Sequence, residues 1–470
     1  MTHEKGIDPA RLETALSVFA ELEDLPTDHP DVQLVRRATS RLYKHVKRQR
    51  KSDRRAEVTA ADEAVTSSTA TGAPGRIDDE TAGLGLSGPT TLGATAGVLR
   101  RPRACYTCKQ RYVLVDSWYH QLCPDCAKLN RERRDARTDL SGRRALLTGG
   151  RAKIGMYIAL RLLRDGAHTT ITTRFPNDAV RRFAGMDDSA DWLHRLRIIG
   201  IDLRDPAQVV ALADDVAAQG PLDIIVNNAA QTVKRSPGSY SQLIAAESAE
   251  LPPGPLPEVV TFAKKSDTKH SLTMSPHAVT ALALAAGSAS PERIAELTAI
   301  DAGGLVPDLA PVNSWTQRVD EVDALELLEV QLCNVTAPFI LVSRLRSAMA
   351  AAAARRKYVV NVSAMEGQFS RRYKGPGHPH TNMAKAALNM LTRTSAEEML
   401  TDGILMTAVD TGWITDERPH PTKMRLADEG FHAPLDLVDG AARVYDPIVR
   451  GELGEDIYGC FLKDYAPSPW

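Results

Sequence analysis

Eight residues, Thr148-Gly149-Gly150-Arg151-Ala152-Lys153-Ile154-Gly155, constrain this 470-residue chain more than any others. They follow Arg143-Arg144-Ala145-Leu146-Leu147, which reads as a buried strand, and precede Met156 to Arg164, which reads as a helix. A glycine-rich turn from strand into helix aims free backbone N–H groups and the positive helix end at one point. That is an anion site of the kind that takes a pyrophosphate. The sequel keeps the pattern. Asp165-Gly166-Ala167 ends the helix, a second strand runs from His168 to Thr173, Asp202-Leu203 closes a third, and Leu222 to Ala230 makes a fourth. Strands alternating with helices predict an α/β fold, a Rossmann-type doubly wound parallel sheet.

From here the chain resembles the short-chain dehydrogenase/reductase family. The turn Thr148 to Gly155, the pair Asp202-Leu203 and the run Asn227-Asn228-Ala229-Ala230 stand in that family's order and at about its spacing. Asn334-Val335-Thr336-Ala337-Pro338-Phe339 is similar to its N-x-T-x-x-F helix, Val359 to Ser363 to its fifth strand, and Met383 to Leu388 to its active-site helix. Gly412-Trp413-Ile414-Thr415 sits where the family has its loop over the nicotinamide, and Gly459 to Leu462 suits its last strand. The resemblance covers about residues 140–470, with an insertion at about 233–325. It implies hydride transfer to or from a small carbonyl or alcohol with NAD or NADP. It also implies that Thr148, Gly149, Gly150, Arg151, Lys153, Ile154, Gly155, Arg174, Asp202, Leu203, Asn228, Ala229, Ala230, Lys385, Gly412 and Ile414 face the cofactor.

Charge argues the cofactor choice. A carboxylate at the end of the second strand would bind ribose hydroxyls and repel a 2'-phosphate, but Thr173 stands there and Arg174 follows. Lys153 replaces the usual middle glycine and adds a second cation. The pair favours NADP, although Arg174 can instead stack on adenine or face solvent. If the turn needs a positive φ at Lys153, a side chain there costs about 1 kcal/mol, so a modified loop is expected.

The catalytic pattern departs from the family. Its Tyr donates the proton, its Lys lowers the phenol pKa, and a Ser and an Asn assist. Asn334 and Lys385 are in place. Thr381 holds the tyrosine position, four before Lys385, and an alkyl hydroxyl is a far weaker acid than a phenol of pKa about 10. Ala364 holds the serine position, three before Gly367, with Ser363 one residue off and so on the opposite face. Two readings stand side by side. Either the loop from Glu366 to His380 returns Tyr373, His378 or His380 to the pocket as donor, or Tyr373 lies in an exposed basic loop and His380-Thr381-Asn382 caps a helix. The rival to an enzyme is an inactive dinucleotide-binding regulatory or scaffold protein that binds a protein or nucleic-acid partner through a zinc ribbon at residues 100–137.

Four of the six cysteines make two C-x2-C knuckles, Cys105/Cys108 and Cys123/Cys126, separated by fourteen residues that include the hairpin strand Tyr112 to Val115. Four thiolates suit one structural Zn2+, whose binding folds a module of about 100–137; a redox dithiol pair and an iron–sulfur cluster compete with it. Before it, residues 1–55 read as basic helices, with ten cations and one acid in positions 36–55, either a solvated face or a surface for nucleic acid or an acidic protein. Residues 56–99, rich in Ala, Thr, Ser and Gly, read as a disordered linker.

The insertion leans acidic, thirteen acids against five bases over residues 236–329, so the 58 cations and 59 anions of the whole chain conceal regions of opposite sign. It begins with Gln231, Thr232 and Lys234, candidates for the substrate pocket by position, and reads as a lid or partner surface without visible secondary structure. No apolar run suggests a membrane span or signal, and few cysteines suit a reducing compartment, so a cytoplasmic protein is expected. A homo-oligomer is expected through the helices that follow Asn334 and Lys385.

Overall fold

The computed structural model describes residues 6–74, 76, 94–262, 303–371 and 373–470. They form two compact units, Met1–Val65 with Leu99–Arg101, and Thr66–Val98 with Pro102–Trp470.

In the first unit, α1 (Pro9–Glu23) starts where Asp8 accepts from the Ala10 amide at 2.9 Å, and it buries no residue. The basic helix α2 (Pro30–Ser67) is 38 residues long. It corrects the expected linker at 56–99, because residues 56–67 continue the helix. Ala- and Glu-rich sequence has few large apolar groups, yet it prolongs an existing helix at almost no nucleation cost. Beyond it, Ala70 and Thr71 are buried and bond through their amides to Ser117 and Trp118 carbonyls at 3.2 and 2.8 Å. Residues 77–93 of that linker lie outside the described residues.

In the second unit, the hairpin β1 (Thr95–Ala104) and β2 (Arg111–Asp116) leads through the knuckles to α3 (Pro124–Asp135). The α/β domain then opens with β3 (Arg144–Leu147), α4 (Lys153–Arg164), β4 (His168–Thr173), α5 (Pro176–Ala184), β5 (Leu196–Gly200), α6 (Pro206–Ala218) and β6 (Ile224–Asn227). The insertion has secondary structure of its own. It supplies α7 (Ser241–Glu247) and β7 (Glu258–Thr261), and its residues 263–302 lie outside the described residues. The chain continues through α8 (Ala324–Gln331), α9 (Ala337–Ala350), β8 (Lys357–Ser363), α10 (Pro379–Leu400), β9 (Ile404–Asp410), α11 (His420–Asp428), α12 (Leu437–Glu452), β10 (Phe461–Lys463) and β11 (Ala466–Ser468).

The nine strands form one sheet in the order β11-β10-β9-β8-β6-β3-β4-β5-β7, parallel throughout except for β11. Strand β7, drawn from the insertion, extends the edge beside β5. Apolar residues fill both faces, as parallel strands require. Ile158, Leu162, Val444 and Ile448 of α4 and α12 cover one face; Leu212, Leu341, Leu345 and Met399 of α6, α9 and α10 cover the other. Ala324–Ala350 is long and apolar enough to cross a membrane by composition, yet half of its most apolar window is buried within the protein.

Strand order reverses between β3 and β6, and that is where a doubly wound sheet opens a crevice at its carboxyl ends. Across it runs a buried polar ladder. Asn227 Nδ2 donates to Asn361 Oδ1 at 2.8 Å, and Asn361 Nδ2 donates to Thr392 Oγ1 at 2.9 Å, tying two strands to α10.

Candidate active site

A cleft of about 920 Å³ opens at this reversal point. Its first wall is the turn from β3 to α4. Gly149 adopts φ +70°, and a Cβ on Gly155 would lie 2.0 Å from the Gly149 carbonyl oxygen, so both positions require glycine. Gly149, Arg151, Lys153, Ile154 and Gly155 line the cleft. Thr148 and Gly150, expected to face the cofactor, support the turn instead. Thr148 Oγ1 accepts from the amides of Asn228 and Ala229, both at 3.0 Å, while Gly150 packs so tightly that a Cβ would meet Ile171 at 2.6 Å. Lys153 has φ +53°, so the loop is not remodelled as expected. The turn keeps its left-handed residue, and the lysine carries a strain of about 1–2 kcal/mol.

The second wall is basic and aromatic. Arg174 lies 5.0 Å from the Tyr240 ring and 5.6 Å from that of Phe175, and these two rings stack at 6.0 Å. Asp202 and Leu203 line the cleft here, with the Asp202 carboxylate held by Arg204 at 2.6 Å and kept below its ordinary range by that partner despite burial. Arg235, from the insertion, joins the wall. The sequence offers no sign of Tyr240, whose place depends on how the insertion folds back, while Arg235 follows directly on the run that begins at Gln231.

The floor is made by Asn228, Ala229, Ala230, Gln231 and Thr232. Asn334 sits in the π-helical turn Leu332–Thr336 that joins α8 to α9, buried and outside the cleft lining. Its side chain accepts from the Gln231 amide at 2.7 Å and donates to the Gln231 carbonyl at 2.9 Å, so it holds the floor in place. Lys234 does not reach the cleft lining; it is paired with Glu329 at 3.7 Å.

On the reaction side, Lys385 of α10 is buried at the cleft and its Nζ donates to the Val362 carbonyl at 2.8 Å. Burial, opposed by Glu366, Cys333 and Asp410, brings its pKa down to about 8. Thr381, one helical turn earlier, lines the cleft and donates to the Thr232 carbonyl at 3.4 Å. Ser363 reaches the lining as well, but its Oγ is spent on Asn389 Oδ1 at 2.6 Å. Tyr373 is 74% exposed and outside the cleft, which corrects the expectation that its loop brings it in. Lys374 next to it turns back instead, its Nζ donating to the Met365 carbonyl at 2.9 Å. Neither histidine rescues it. The His378 ring stacks on Trp315 at 3.9 Å, and His380 is buried 4.0 Å from Glu326, both outside the lining.

Gly412 and Ile414 close the cleft from the far side with Trp413, next to Asp410, whose burial pushes its carboxyl above the ordinary range. Tyr106 and Lys109 of the cysteine module also line it. In that module the four Sγ atoms of Cys105, Cys108, Cys123 and Cys126 lie within 4.8 Å of one another, with Cys108 and Cys123 at 3.7 Å. Bonds of about 2.3 Å to a tetrahedral zinc put sulfurs about 3.8 Å apart, so the donor set fits that ion.

A family comparison bears on the first part of the α/β domain. Residues 143–246 match the family model of the short chain dehydrogenases. The matched segment contains the glycine-rich turn, Arg174 and Asn228, but ends before Ser363, Thr381 and Lys385. Among curated proteins, the chain is 29% identical over 358 residues to "Uncharacterized protein R665" of Acanthamoeba polyphaga mimivirus, covering 74% of this chain and 71% of that one. It is 40% identical over 94 residues to a "Probable oxidoreductase" of Streptomyces antibioticus, covering 19% of this chain and 30% of that protein. A solved structure, the carbonyl reductase Sniffer of D. melanogaster, overlaps 71% of this chain and 100% of its own at 17% identity, with a TM-score of 0.44.

Proposed function

We propose that the chain is an NADP-dependent oxidoreductase that moves a hydride to or from a small carbonyl or alcohol, with Lys385 as the proton donor. The supporting observation is Lys385 itself: a buried ammonium of pKa about 8 at the cleft that the glycine-rich turn lines. A general acid works best with a pKa near the working pH, and the neighbouring Thr381 hydroxyl is far too weak an acid to replace a phenol. The nicotinamide supplies the hydride when bound. Arg174, Lys153 and Arg235 offer cations to phosphate groups, and a 2'-phosphate is favoured where no carboxylate ends β4. Asn334 holds the floor through Gln231, and Lys385 supplies the proton to the nascent alkoxide oxygen.

The test is consumption of NADPH, followed by absorbance, with a panel of aldehydes and ketones on the wild type and Lys385→Ala. Substrate-dependent turnover that Lys385→Ala abolishes supports the reading; NADPH binding without turnover on any member sinks it. That second outcome is the rival, a dinucleotide-binding regulatory or scaffold protein. Its support is Ala364 and Thr381 in the serine and tyrosine positions and a Ser363 hydroxyl already committed to Asn389.

Further parts of the reading follow from chemistry. The four thiols take one structural Zn2+, which elemental analysis should find at one per chain. Thiolate ligands suit a reducing cytoplasmic setting, checkable by cell fractionation. Exposed Phe339, Met383 and Met390 on α9 and α10 fit a homo-oligomer, which sedimentation would reveal. The cations of α2 fit an acidic protein or nucleic acid. Salt-dependent binding to nucleic acid should weaken when Arg48 and Lys51 are reversed to glutamate, and no change would remove that partner.

A further inference from the structure

The cysteine module bears on the cleft through a residue that sits between two of its thiols. Tyr106 lines the cleft, and its phenol oxygen accepts the backbone N–H of Trp413 at 2.8 Å. That contact falls where the chain leaves β9. Gly412 has φ +78°, and a Cβ there would come within 3.6 Å of the same oxygen. The loop that closes the far side of the cleft therefore rests on a phenol from the knuckle.

Tyr106 is itself fixed by the knuckle's geometry. The Cys105 amide donates to the Gln110 carbonyl at 2.9 Å, the Tyr106 amide to the Gln121 carbonyl at 2.8 Å, and the Cys123 amide to Cys105 Sγ at 3.3 Å. Lys109 adopts φ +65° and places its ammonium 5.1 Å from the Tyr106 ring, which closes the turn between the first two thiols. The module is also anchored on the α/β domain. Tyr119 donates to Asp439 at 2.6 Å, Arg134 to Asp436 at 2.7 Å, and Arg443 to Asn130 at 2.8 Å. A chelated ion fixes the relative positions of the four thiols, and hence the path of the two residues between Cys105 and Cys108.

We propose that the four-cysteine knuckle is a wall of the dinucleotide cleft, and that Tyr106 acts as a positioning residue that sets the loop after β9, so that affinity for the dinucleotide depends on a divalent metal at the thiols. The proposal rests on reading the cleft as a dinucleotide site. It makes the metal a control point: removing it frees Tyr106, releases the Trp413 amide and slackens one side of the cleft.

The experiment uses the full chain loaded with Zn2+, the same protein after chelation and after reloading, and Tyr106→Phe. Metal content is measured by elemental analysis, NADPH and NADH affinity by fluorescence titration, and the loop by hydrogen–deuterium exchange of a peptide containing Trp413. Chelation should weaken the dinucleotide about tenfold or more, and Zn2+ should restore it. Tyr106→Phe should keep its metal, speed exchange at Trp413 and weaken the dinucleotide about two- to tenfold, the loss of one neutral hydrogen bond. Unchanged affinity after metal removal overturns the proposal, as does a Tyr106→Phe protein unchanged in exchange and affinity. A wild type that binds neither dinucleotide overturns the functional reading instead. The two failures are separable because Trp413 exchange reports the Tyr106 contact with no cofactor present.

Discussion

The two sides of the cleft are built on different terms. On one side, the turn from Thr148 to Gly155 holds its shape through backbone demands: Gly155 has no room for a Cβ, and Thr148 accepts two amides at the end of β6. On the other side, from Ser363 to Lys385, side-chain hydrogen bonds hold the lining. Thr381 stands four residues before Lys385, the Ser363 hydroxyl is spent on Asn389, and Glu366, Arg371 and Lys385 bring ionisable groups to the cleft. On the proposed reading, binding the dinucleotide draws on the main chain of the turn, whereas proton delivery draws on the side chain of Lys385.

The sharpest way to break this contrast is Lys385→Ala. Turnover should fall at least about 100-fold, the usual contribution of a general acid, while NADPH affinity changes much less. Equal losses in both would mean that Lys385 belongs to the binding side. Next in size is Arg174→Ser. Losing a charge-assisted bond of about 1.5–3 kcal/mol should weaken NADPH by about 10- to 150-fold with NADH little changed, as titration with both would reveal. A pH profile separates the sides further. The donor must be protonated, so reductive turnover should be flat below the Lys385 pKa of about 8 and fall about tenfold per unit above it, while oxidation rises toward the same value. A flat profile across this range would remove Lys385 as donor. Smallest of all, Tyr373→Phe should change turnover by less than about twofold, and a large loss would return the phenol to the reaction.

The same contrast explains what the sequence made legible. The turn, Asp202-Leu203 and the four cysteines could be read because glycine, short spacing and thiol pairs express local constraints. Arg174 could be read because its place follows directly from the end of β4. The residues missed act at long range. Tyr240 reaches the cleft only because the insertion folds back, and β7 is a four-residue edge strand in a segment whose composition looks like a loop. Tyr106 gave no signal because nothing near it in sequence announces Trp413, about 300 residues later. Residues 56–67 differ from the expected linker because low hydrophobicity does not bar a helix: alanine needs no core to continue one. Tyr373 has the right phenol in the sequence, but its exposed loop keeps it out of the cleft.

Lys153 suggests a wider bargain. A lysine held at φ +53° occupies a conformation that glycine adopts freely, so the chain retains a less stable fold in exchange for a cation beside the phosphate turn. Lys153→Gly should therefore melt up to a few degrees higher yet hold NADPH less well, as paired calorimetry and titration would show. Heat tolerance and cofactor retention then pull this one position in opposite directions, so a variant selected for endurance alone would tend to lose its grip on the dinucleotide.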